Sequence, residues 1–269
     1  MNLGALASLL LAEGLYVRAI GILRGRGVTV GRGQQACFHG AMLLWAIGLL
    51  SPLDAAAERG FTPHMAQHLL IADLAAPLLL AGIRNPVLVF LLPRPVLVGL
   101  ARRGRARRAF RTLRRPLVAL AVYGLVLYAW HFAFLFEAAV QSPLVHAVQH
   151  GSFVGIGILV WWAALEPKRR RLRGELWKIG HILSARMIGM FLAMAFVLIR
   201  EPIYTGVYGP GGRPLGLEPV ADQQVAGALM LSVDICIMVF ALAFFFFRAA
   251  GDEDRREAKA AALPVRRAA

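Results

Sequence analysis

Seven stretches of this chain, 3–23, 34–51, 63–82, 116–136, 143–165, 179–199 and 221–248, are almost wholly apolar. A helix needs about 20 mostly apolar residues to cross the hydrocarbon core of a bilayer, and each stretch approaches or passes that length. In lipid, backbone polar groups must be satisfied within the segment itself, so such runs are expected as helices. The chain as a whole is 58% hydrophobic with a mean hydropathy of +0.62, too apolar for a water-soluble domain. The expected fold is all-α, a polytopic transmembrane bundle of about seven spans occupying residues 1–250. The remainder, 251–269, is a mixed-charge, Ala-rich tail expected to be disordered. An eighth apolar run, "PVLVFLLPRPVLVGL" at 86–100, is broken by Pro93, Arg94 and Pro95. It reads as an interfacial or partly inserted segment, because Pro-Arg-Pro at the membrane midplane is costly.

A formal net charge of +15 would suit nucleic acid, but its placement argues otherwise. Of 30 Lys and Arg, three lie in 24–33, ten in 84–115, six in 166–178 and six from Arg248 onward. These are alternate connections plus the C-terminus, and the opposite connections hold only Arg59, Arg200 and Arg213. The positive-inside rule then places the N-terminus outside and the C-terminus in the cytoplasm, which an odd span count fits. The basic runs read as topology signals with attraction to anionic headgroups of the lipid bilayer, not as a nucleic-acid surface. Glu13 interrupts the first span, and no basic region or small-residue cleavage site marks a signal peptide, so this helix is expected to be retained. Cys37 and Cys236 fall in different spans and form no CxxC, which gives neither a disulfide framework nor a thiolate metal motif.

Within this apolar sequence the histidines are concentrated. "TPHMAQHLLIADLAAPLLLAG" (62–82) opens with His64 and His68, and "SPLVHAVQHGSFVGIGILVWW" (142–162) opens with His146 and His150. Thr62-Pro63 and Ser142-Pro143 each read as an N-cap followed by proline in the first turn. Residues four apart share a helical face, so each pair can aim two imidazoles at one point. With the expected topology, these four and His131 of "YAWHFAF" are five of seven histidines on the outer side; His39 and His181 fall on the other. Imidazole suits copper, zinc, iron and nickel. The cluster therefore reads as a metal or haem site, with structural hydrogen bonding as the alternative. There is no HExxH, because His64 and His68 enclose Met-Ala-Gln, so a zinc-protease reading falls away.

Other intramembrane polar groups are functional hypotheses by default: Glu13, Asp73 and Asp234. Asp73 lies two to three turns below His64 on the same span. Asp222, at the start of the seventh span, is either a helix N-cap or a carboxylate that fixes a histidine tautomer. Met187, Met190 and Met194 read as packing. "GVYGPGGRPLG" (206–216) reads as an outer loop without the strand–helix context of a phosphate cradle.

"HMAQHLLIADLAAPLLLAG", "YAWHFAFLFEAAVQSPLVHAVQHGSFVGIGILVWW" and "ADQQVAGALM" together resemble the membrane-embedded cytochrome c oxidase assembly factors of the caa3/CtaG type. The match runs from about residue 5 to 248, with the motifs in the family's order. The resemblance implies a multi-pass protein of the bacterial inner membrane that helps mature a copper-containing haem–copper oxidase and is not itself an enzyme. It implies a metal site of His64, His68, His131, His146 and His150, with Asp222 nearby; Asp73, farther along the same span as His64, is expected behind the ligands from its position alone. Copper is the implied metal, and oxidase subunits and periplasmic copper chaperones are the implied partners. Two departures stand out: Ala133 replaces a proline common in the family, and Gln149 replaces a frequent glutamate, removing a charged group from the fifth span.

The leading expectation is a copper-binding assembly factor with an outward-facing imidazole cluster that binds and releases its metal. A bis-histidine haem protein of electron transfer is the alternative, although it would leave the second histidine of each pair redundant. A copper permease is a third, but no matching cluster lies on the cytoplasmic side.

Overall fold

A computed structural model describes residues 3–165, 176–208 and 215–261, with side chains described as far as Asp254. Part of the basic run expected in 166–178, Arg213 and the tail beyond Ala261 lie outside the described residues. Every regular element among those described is helical: α1 (Leu3–Gly25), α2 (Arg32–Leu50), α3 (Pro52–Ala57), α4 (Phe61–His68), a π-helical segment (Leu69–Leu74), α5 (Ala75–Gly82), α6 (Val87–Phe90), α7 (Arg94–Arg102), α8 (Gly104–Leu113), α9 (Pro116–His131), α10 (Ala133–Gln141), α11 (Pro143–Leu165), α12 (Leu176–Leu198) and α13 (Pro219–Ala261).

Five helices are long and apolar enough to cross a membrane: Leu3–Gly25, Phe61–Gly82, Pro143–Leu165, Leu176–Leu198 and Pro219–Asp254. A sixth would be α9 taken with α8, but the two are bent by 85°. Arginine-rich α8 and the preceding α7 bury no residue, as expected of segments lying along an interface. The 86–100 run accordingly splits into α6 and α7. Of the expected spans, 34–51 is not among those marked by length and hydropathy; α2 carries Gln34, Gln35 and His39. The 116–136 run is divided, because Phe132 adopts an extended conformation between α9 and α10. The chain beyond residue 250 also differs from expectation: α13 stays helical through Ala261. Its "DEDRREAKAA" sequence is rich in strong helix formers.

Two close approaches position the elements that matter. A Cβ on Gly157 would lie 2.7 Å from the carbonyl oxygen of Ala72, so glycine lets α11 pack directly on the π-helical segment. A Cβ on Gly227 would lie 2.7 Å from the Ala193 carbonyl, which draws α13 onto α12. Small residues at such crossings are how helices associate where lipid supplies no hydrophobic drive. The Ile71 carbonyl of the π-helical segment accepts from the Trp45 indole N–H at 2.8 Å, tying the segment to α2. Large side chains such as Leu117, Leu125, Phe191 and Phe240 point outward, as a lipid-facing surface requires.

Candidate metal centre

α4 and α11 meet at their N-terminal turns, and the four paired histidines meet with them. The His64 and His68 ring centroids are 4.4 Å apart, as the i, i+4 spacing dictates, and those of His146 and His150 are 4.1 Å apart. Across the interface, His64 faces His146 at 5.1 Å and His68 faces His150 at 5.1 Å. One ligating nitrogen from each of His64, His68 and His146 falls within 4.8 Å of the others. Metal–imidazole bonds of 2.0–2.1 Å place bound nitrogens nearer than that, so a small rotation of the rings suffices to close on an ion. His64 is wholly buried and His68 nearly so.

The nitrogens are as informative as the rings. Nε2 of His64, His146 and His150, and both ring nitrogens of His68, are buried without a hydrogen-bond partner. Buried polar atoms are almost always satisfied, and leaving one unpaired costs roughly 1–3 kcal/mol. The orphaned nitrogens of His64, His68 and His146 form a donor set that could hold a cation.

His131 is placed differently. Its Nδ1 lies 2.7 Å from the Leu127 carbonyl one turn back, and its ring packs on Phe136, Phe153 and Phe196. Phe153 stands between it and His68, touching both rings. Its Nε2 is also unpartnered, yet no ring contact joins it to the other four among the described residues. His39 pairs instead with Glu13, Nδ1 to Oε1 at 2.9 Å. His181 Nε2 lies 3.0 Å from the Val160 carbonyl. Neither approaches the cluster.

The two acidic residues expected behind the ligands do other work. Asp222 accepts from the backbone N–H of Phe61 at 2.7 Å and of Thr62 at 3.0 Å, and its carbonyl accepts from the Thr62 hydroxyl at 2.9 Å. It therefore caps α4 from another helix, while Gly60 at the N-cap and Thr62 supply no side-chain cap. Asp222 thus caps a helix other than its own, and its carboxylate hydrogen bonds go to backbone N–H groups. Asp73 contacts no histidine; its Oδ1 accepts from Arg186 Nη1 at 2.5 Å. The π-helical segment between His68 and Asp73 changes the register that a regular helix would have kept.

The group that orients an imidazole is one the sequence did not single out. Tyr208 Oη lies 2.8 Å from the Ala57 carbonyl and 2.9 Å from His64 Nδ1. The carbonyl can only accept, so the tyrosine proton goes to it and the tyrosine oxygen accepts from His64 Nδ1–H. Burial pushes the Tyr208 hydroxyl above its ordinary range, helped by the nearby Asp222 charge, so it remains a donor at any physiological pH. This pattern assigns His64 the tautomer whose Nε2 lone pair points into the cluster. Gln149, wholly buried, lies alongside His64.

The family model of the cytochrome c oxidase caa3 assembly factors matches residues 14–251. The chain belongs to that family. The assembly factor's three resemblance motifs all lie within the matched stretch, and they contribute the histidines of α4, α9 and α11 together with Asp222. No curated protein matches the chain, and no solved structure matches it. The helical fold and the family identity agree with the expectation from sequence, and the protein is an assembly factor of cytochrome c oxidase carrying several helices able to cross a membrane.

Proposed function

We propose that this assembly factor holds copper as cargo at His64, His68 and His146, with His150 adjoining, and passes it to an oxidase subunit. The observation that supports this reading is the convergence of three imidazoles, two of them buried, each with at least one buried ring nitrogen that has no hydrogen-bond partner. An all-imidazole set suits copper and carries no charge of its own, so the ion is held without the anchoring that thiolates or carboxylates add. That is the behaviour required of a site that releases what it binds. The role is one of binding and transfer, with no bond of a substrate made or broken by the chain.

A bis-histidine haem fits less well. The rings of α4 and α11 are in mutual contact at 4.1–5.1 Å, and a porphyrin would need a slot between two of them. On the charge pattern, the cluster faces the outside of the bacterial inner membrane, where periplasmic copper chaperones would be the donors.

Cells carrying His68→Ala or His146→Ala should make normal amounts of assembly factor and oxidase polypeptides, with oxidase activity strongly reduced and partly restored by added copper. His39→Ala and His181→Ala should leave activity near wild type. Equal effects from all four would replace the copper reading with a general scaffolding role.

A further inference from the structure

At the depth of Asp73 the bundle holds a second polar site that the histidine cluster does not use. Arg186 of α12 sends Nη1 to Asp73 Oδ1 at 2.5 Å and to Asp234 Oδ1 at 2.6 Å. Its Nη2 lies 3.4 Å from the Tyr123 hydroxyl on α9, and its Nε has no partner. Four helical segments thus contribute one side chain each. The Arg186 side chain is 1% exposed and that of Asp234 6%. Gly189, one turn along α12, leaves the room: a Cβ there would lie 2.5 Å from Asp234 Oδ2 and 3.4 Å from the Tyr123 hydroxyl. Tyr128, the next titratable group on α9, is turned to the Ile188 carbonyl at 3.2 Å.

The charges do not balance. Two carboxylates share a single guanidinium nitrogen, which leaves one negative charge over when both are ionised. Burying an uncompensated charge is far more costly than burying a neutral, hydrogen-bonded acid, and intramembrane ionisable groups of this kind serve as proton relays. Tyr123 cannot supply the missing positive charge. Asp73 is less buried than Arg186 and Asp234: its side chain is 19% exposed. It lines a cleft of about 490 Å³ whose other walls include Leu44, Leu74, Trp161, Phe240 and Phe244. The cleft occupies the half of the bundle away from the histidines, alongside the C-terminal end of α5. The π-helical segment that carries Asp73 is itself a device found at functional positions.

We propose that Asp73, Asp234, Arg186 and Tyr123 form a membrane-buried proton-holding site, in which the two carboxyl groups share one exchangeable proton. The proton balances the site to neutrality. The site is distinct from the copper cluster and does not depend on it.

Infrared spectroscopy of the purified protein in lipid, unlabelled and with carbon-13-labelled aspartate, reads the proton directly. At neutral pH the wild type should show a carboxylic-acid C=O stretching band that shifts on labelling and on transfer to D2O. Asp73→Asn and Asp234→Asn each leave one carboxylate for one guanidinium, so the band should vanish in both. Arg186→Met leaves two carboxyls with no cation, and the band should grow. Should that variant fail to fold, the two isosteric asparagine variants carry the test alone. Absence of a labelling-sensitive band in the wild type, or its loss in only one of the asparagine variants, would overturn the shared proton and leave an ionic clamp.

Discussion

Tyr208 Oη and His64 Nδ1 stand 2.9 Å apart, with the tyrosine also 2.8 Å from the Ala57 carbonyl. One hydroxyl therefore reads the end of α3 and fixes the first imidazole of α4. The residue belongs to the connection between α12 and α13, so that connection reaches over the cluster and takes part in setting its geometry.

Tyr208→Phe should test this. The variant keeps the ring that packs against Phe61 and Phe136 and removes only the hydrogen bonds. Losing an outer partner of a metal-binding histidine typically lowers metal affinity about 10–100-fold. We expect a fall of that order in a copper competition titration, with the far-UV circular dichroism unchanged. An affinity equal to that of the wild type would mean that the Ala57 carbonyl, 3.3 Å from His64 Nδ1, orients the ring alone.

Asp222→Ala should weaken the docking of α13 on α4. A capping side chain contributes about 0.5–2 kcal/mol, and this one serves two N–H groups at once. The expected outcome is a lower thermal unfolding midpoint in detergent, with metal stoichiometry retained because the carboxylate hydrogen bonds go to backbone N–H groups. Asp222→Asn should recover part of the loss, since its amide oxygen still accepts from one of the two donors. A variant that loses its metal without losing stability would show that the carboxylate acts on the metal site and not only as a cap.

How much of this was legible beforehand depends on the range of the interaction. The i, i+4 pairs are local, so the convergence of His64 with His68 and of His146 with His150 follows from helical spacing once both segments are read as helices. Their meeting across α4 and α11 followed from a topology argument, and Gly157 makes the close packing of α11 possible through a contact no single-helix pattern displays. Asp222 shows the limit: a cap at the start of α13 was foreseen as a kind of chemistry, but the helix it caps lies 160 residues away in sequence. Tyr208 sat in a glycine-rich loop whose only local signal was turn formation. Arg186 did carry a signal. A lone arginine in an apolar span must find a counter-charge at the same depth, and Asp73 and Asp234 were already in view as intramembrane acids. The π-helical segment left no such trace in the sequence.

His131→Ala should separate the core of the site from its surroundings. The Phe153 ring lies between His131 and His68, and one His131 nitrogen is engaged by its own helix. Its removal should cost copper affinity much less than His68→Ala does. A loss as large as that of His68→Ala in the same titration would show that His131 swings in to complete the coordination.

The central claim is that a cation is held by the imidazoles of α4 and α11 together. Copper analysis of the protein purified in detergent, alongside His68→Ala, His146→Ala and His39→Ala, tests it most directly. The wild type and His39→Ala should retain stoichiometric copper after exhaustive dialysis, and each of the other two should retain little, because removal of either helix's contribution breaks the chelate. Full copper retention by both His68→Ala and His146→Ala would contradict the account.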